Sequence, residues 1–221
     1  MDESELDKLV SDVEEIKRAV RRNNPFVREL VGGRFFAALG LPFGLLIVGF
    51  CAGAQLLLER FGSVAGIPAG WKAAGWAALA AVFIGGGILK WGFLGARARK
   101  VQEGATVMTI FRGVYGGPLF HLNLPVVICM VAATAFAVSV GHPWYIVPGI
   151  GIFFAFISNA LGLAIGRPEY LVAGWYCLAS SLASLFFMEA APLVWSAVIW
   201  GGCLLVFGIV GLAVKDREAP A

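Results

Sequence analysis

The sequence predicts an all-α, polytopic membrane protein. Six transmembrane helices form an up-down bundle, preceded by an N-terminal amphipathic cytoplasmic helix. Three observations point there. First, the 221 residues are 59% hydrophobic and 14% charged, with 29 glycines besides. A soluble domain is about 25% charged, so this chain lacks the polar residues to cover a water-soluble globule. Second, the stretches 35–58, 73–89, 119–140, 144–165, 171–188 and 193–214 carry no Asp, Glu, Lys or Arg. Third, Pro118, Pro143, Pro168 and Pro192 recur at intervals of 25, 25 and 24 residues. The composition also excludes a disordered chain and a nucleic-acid binder.

Residues 1–34 form the first unit. They hold seven Lys and Arg and eight Asp and Glu, and no apolar run long enough for a cleaved leader. Leu6, Leu9, Val13, Ile16 and Val20 follow a 3-4-3-4 spacing, which is one stripe of a helix. Ser4 and Asp7 resemble a capping box at its start, and Asn23-Asn24-Pro25 ends it. The acids gather in residues 1–15 and the bases in 16–34. Basic residues suit an anionic lipid surface, whereas the acidic half is repelled by it. The acidic half is therefore expected to stand off the membrane and offer its stripe to protein. The partner is a second copy or a separate subunit, engaged through residues 4–22. The bland reading places the same helix on the protein's own cytoplasmic face.

Residues 35–214 form the bundle. A bilayer core needs about 20 apolar residues. Five of the stretches reach that length or nearly so, and 73–89 reaches it if Lys72 and Lys90 snorkel to the interfaces. Spanning segments must satisfy their own backbone, so these are helices. Pro at a first helical turn loses no hydrogen bond, which makes each of the four spaced prolines a helix start. A repeat near 25 leaves room only for tight turns, and spans three to six should alternate in direction. Pro42, Pro125 and Pro148 fall inside spans and are expected to kink them. Ala73, Ala77, Ala81 and Gly85 make a small-residue face, as do Gly40/Gly44 and Gly49/Gly53. Such faces bring helix backbones together, either within the bundle, which is the use expected here, or between two copies.

Orientation follows from charge. Lys and Arg collect on the cytoplasmic side of short loops. All of them except Arg60 and Lys72 lie on one side of this arrangement. Both termini are therefore expected in the cytoplasm, with the chain in a plasma (bacterial inner) membrane. Residues 105–115, with Val107, Ile110, Phe111, Val114 and Tyr115 on one face, read as an interfacial helix. Residues 215–221 are a short cytoplasmic tail.

Chemistry is sparse. No phosphate loop, metalloprotease or hydrolase motif is present, and the spans show no core ionisable residue. His121 and His142 stand at opposite ends of the third span, about 30 Å apart at 1.5 Å per residue, too far to share a metal. Cys51, Cys129, Cys177 and Cys203 all fall inside spans with no CxxC pair and read as small packing residues. No enzyme activity, cofactor or metal is expected. The polar exceptions are Asn159, Tyr176, Ser180, His121 and Asn123. They read either as a cytoplasm-facing pocket for a neutral small molecule or as interhelical hydrogen bonds. Glu189 and His142 terminate adjacent helices and could pair.

Two functions stand open. One is a non-enzymatic assembly or regulatory membrane subunit that uses its N-terminal helix for a partner. The other is a transporter or membrane-embedded binding subunit for a neutral, largely apolar small molecule.

Overall fold

The computed structural model describes residues 34–101, 108 and 118–214. It contains helices and no strand among the described residues. Helix α1 is Arg34–Phe61 and α2 is Ala69–Val101. Helix α3 is Pro118–Ser139. A 3-10 turn, Pro143–Tyr145, leads into α4, Ile146–Ile165. Helix α5 is Pro168–Ser184, and α6 is Pro192–Ala213. The prolines read as helix starts occupy those positions, because a first-turn residue needs no donor of its own.

Four of these helices are long and apolar enough to cross a membrane: Phe36–Phe61, Ala69–Ala96, Pro143–Leu163 and Pro192–Ala213. This is an α-helical membrane protein. The other two are shorter in their apolar parts. Helix α5 has 17 residues, and the described apolar run of α3 is Leu124–Ser139.

The α4–α5 connection is as tight as the proline spacing requires. Gly166 adopts φ 66°, a left-handed conformation open to glycine at little steric cost. Arg167 N–H then closes on Gly162 O at 3.0 Å. Pro168 starts the next helix at once, so α4 and α5 run antiparallel and make the most extensive helix contact.

The core is a three-helix junction. Helix α6 packs on α1 along one face and on α5 along another, and α3 packs on α4. Ala155, Ala173, Cys177, Ile199 and Cys203 form its buried centre. Small residues permit the approach. A Cβ added at Gly44 would lie 2.9 Å from Gly201 O, and one at Gly208 would lie 2.9 Å from Ala37 O. The Gly40/Gly44 face is thus the α1–α6 contact.

Three expectations are corrected. Ala73, Ala77 and Ala81 are exposed, and nothing lies within 4 Å of a Cβ at Gly85. Among the described residues nothing packs on that face of α2, and only 6% of the α2 spanning window is buried. Nothing lies near Gly49 or Gly53 either. Second, Pro148 does not interrupt a span. The 3-10 turn starts α4 at Ile146, which leaves Pro148 in the first turn, where its missing N–H breaks no ladder. Third, α6 is not a regular α-helix. Residues Ala197–Gly201 form a π turn.

A polar seam between α4, α5 and α6 as the candidate functional site

Helix α5 buries one continuous face: Glu169, Ala173, Gly174, Cys177, Ser180, Ser181 and Ser184. The spacing is that of one helix stripe, and after Glu169 no buried residue of that stripe is larger than Cys. Such a face lets α4 and α6 close on α5 from either side. Gly151 on α4 sits against Ser181 and Ile199, and Gly174 on α5 sits against Asn159 of α4.

Much of the seam satisfies itself. Ser180 Oγ donates to Cys177 O at 3.2 Å, and Ser184 Oγ donates to Ser181 O at 2.8 Å. Both bonds return to their own helix, the usual habit of helical serine. Cys177 Sγ donates to Gly151 O at 3.4 Å, and Cys203 Sγ donates to Ala173 O at 3.6 Å. The two thiols also touch each other across the α5–α6 boundary. Tyr176 Oη donates to Val198 O at 3.0 Å, inside the π turn of α6. A π turn departs from the regular hydrogen-bond ladder, and the tyrosine hydroxyl serves a carbonyl there.

Three oxygens in the seam are not satisfied. Asn159 Oδ1, Ser181 Oγ and Glu169 Oε2 are buried without a hydrogen-bond partner. Ser181 does lie against the Cys177 thiol, a weak partner at best.

Glu169 is a buried ionisable group just outside the charge-free stretch 171–188. It is 4% exposed, in the first turn of α5. Its Oε1 is 3.9 Å from Arg167 Nη1. The carboxylate is buried because its neighbours are small: Gly211 of α6 comes close to its Cβ, and Ala37 of α1 packs on the same glycine. A carboxylate in a first helical turn is also favoured by the helix dipole.

Of the residues singled out from the sequence, those described face different neighbours. Asn159 faces Gly174, whereas the Tyr176 hydroxyl faces Gly202 and Val198 in α6. Ser180 is buried and bonded to its own helix. The side chains of His121 and Asn123 lie outside the described residues. So do Leu6, Leu9, Val13, Ile16 and Val20, the tail 215–221, and all of 105–115 except Met108. Glu169 and the Cys177–Cys203 contact were missed. The signal available was spacing: Glu169, Ala173, Cys177, Ser181 and Ser184 fall on one helix face.

At the other end of α5, His142 Nδ1 lies 2.7 Å from Glu189 Oε1. The pair joins the α3–α4 turn to the α5–α6 turn. Beside it Phe187 stacks on Trp195, with centroids 5.9 Å apart. Among the described residues, no group of three or more His, Cys, Asp or Glu is placed to hold a metal ion.

No known protein family matches the chain, and no curated protein or solved structure does.

Proposed function

We propose that the chain is a non-enzymatic integral membrane subunit that acts by assembling with a protein partner. In this reading all six helices cross a plasma (bacterial inner) membrane, with both termini in the cytoplasm. The charge distribution supports that orientation, since Arg60 and Lys72 are the only basic residues assigned outside. The observation that carries the assembly reading is the open face of α2. Ala73, Ala77, Ala81 and Gly85 repeat at the spacing that lets helices approach closely, yet among the described residues no other helix covers them. The partner supplies a transmembrane helix there. The apolar stripe Leu6, Leu9, Val13, Ile16 and Val20 engages the same partner on the cytoplasmic side. Co-purification tests this. Deleting residues 1–24 is expected to leave the bundle folded and to weaken capture of the partner. Equal capture by the deleted and full chains would count against the N-terminal helix.

A second reading has its own support. Asn159 Oδ1 is buried without a partner, as a ligand-binding amide would be. In that reading the protein binds or transports a neutral, largely apolar small molecule. A bound molecule that is lost in Asn159→Ala would favour it, and a chain that purifies with nothing bound would oppose it.

A further inference from the structure

We propose that Cys177 and Cys203 are a redox pair, two thiols that a peroxide closes into a disulfide stapling α5 to α6. Both are free thiols in this structure. The inference goes beyond the assembly reading and does not depend on it.

Several contacts bring the two sulfurs together. Cys203 Sγ lies 3.6 Å from Ala173 O. In a regular helix that carbonyl accepts the backbone N–H of residue 177, so Cys203 Sγ sits level with Cys177. Both thiols belong to one buried cluster, at 0% and 2% exposure. Their side chains are within hydrogen-bonding reach of each other. The π turn at Ala197–Gly201 sets this register. A π turn closes one residue later than an α turn, so without it Gly202 and everything after it would swing by about 100° around α6. Tyr176 holds the turn in place, with its hydroxyl against Gly202 and donating to Val198 O. Cys203 is thereby aimed at α5.

The chemistry leaves fewer atoms in the core than it starts with. One sulfur attacks a peroxide oxygen and the O–O bond breaks. The leaving hydroxide takes that thiol's proton as water, and the sulfur becomes a sulfenic acid. The second sulfur then displaces the sulfenic hydroxyl, which leaves as water with the second thiol's proton, and the S–S bond forms. The two thiols lose two electrons and the peroxide gains two. A disulfide draws the sulfurs to about 2.05 Å, closer than two thiols in contact, so the product fits a tightly packed site. The sulfenic oxygen is the one added atom, and it is transient. Burial selects the reagents. Hydrogen peroxide is small and uncharged and enters when the helices open briefly. Glutathione is a charged tripeptide and is kept from the bond, which exchange requires it to attack directly.

Hydrogen peroxide applied to the reduced full chain in lipid nanodiscs tests the proposal. The peroxide is removed with catalase, the chain is unfolded in detergent with N-ethylmaleimide, and mass spectrometry reads the products. The reduced chain takes four maleimides, one per cysteine. After peroxide the proposal expects peptides joined through Cys177 and Cys203, with maleimide lost at those two positions together. Cys203→Ala should abolish the link. Glutathione added to the nanodiscs should leave the link closed, and glutathione added after unfolding should open it. Maleimide on both Cys177 and Cys203 after peroxide would overturn the proposal. So would a link from either of them to Cys51 on α1 or Cys129 on α3, oxidation of Cys177 alone to its sulfinic acid, or a link that glutathione opens in the folded chain.

Discussion

His142 Nδ1 and Glu189 Oε1 are 2.7 Å apart, although 47 positions separate the residues. An ionised carboxylate only accepts, so Nδ1 carries the proton between them. The contact holds the α3–α4 turn to the α5–α6 turn at one end of the bundle. Both side chains are more than half exposed, at 56% and 55%. Solvent therefore screens the pair. A double-mutant cycle with His142→Ala and Glu189→Gln should give a coupling of about 0.2–1 kcal/mol, falling as salt rises. Unfolding in detergent at two ionic strengths measures it. A salt-independent coupling would contradict an electrostatic clasp.

The α1–α6 contact is made by glycine against backbone. A Cβ at Gly44 or Gly208 would meet a carbonyl oxygen at 2.9 Å, and backbone cannot step aside. Gly44→Ala and Gly208→Ala should each destabilise by about 1–3 kcal/mol, the usual cost of overpacking. Gly49→Ala enters open space and should be neutral or stabilise by about 0.5–1 kcal/mol through helix propensity. Equal effects at Gly44 and Gly49 would show that the helices do not meet where the glycines place them.

Tyr176→Phe removes the donor that serves Val198 O in the π turn. The ring keeps its packing and the carbonyl loses its partner. A loss of about 0.6–2 kcal/mol is expected, the range for interhelical hydrogen bonds in membranes. Calorimetric or denaturant unfolding of the purified chain reads it.

Arg167 and Glu169 make a loose pair at 3.9 Å with both side chains largely buried. Arg167→Ala removes the cation and leaves the carboxylate in place. It should cost about 1–3 kcal/mol, below the 3–5 typical of tighter buried pairs. Adding Glu169→Gln to Arg167→Ala should recover much of that loss. The recovery is the diagnostic outcome, because a purely steric role for Arg167 predicts none.

The parts of the fold that were legible in the sequence are those set locally. Runs without charge mark the helices, because hydrocarbon excludes charge. Pro118, Pro143, Pro168 and Pro192 mark their starts, because a first turn does not need the missing N–H. The parts that were not legible are set by neighbours. Glu169 carries no mark of burial in the sequence, and small neighbours such as Gly211 bury it. Ala73, Ala77, Ala81 and Gly85 were indistinguishable from Gly40 and Gly44 as a packing face. One set found α6 and the other found nothing among the described residues. The π turn at Ala197–Gly201 has no signature in composition. Asn159 stood out in the sequence as an amide within an apolar run, and its Oδ1 is buried. The sequence does not separate Ser181 from Ser180 and Ser184, because a serine that bonds back to its own helix and one that does not look alike there.

Native mass spectrometry of the full chain, released from nanodiscs, tests the assembly claim most directly. The chain weighs 23.4 kDa. The prediction is a species heavier by a whole second polypeptide, either another copy or a different protein. Ala77→Trp, which blocks the open face of α2, should return it to the single-chain mass. A species at 23.4 kDa with no polypeptide bound, from the gentlest release that preserves bound lipid, would contradict the claim.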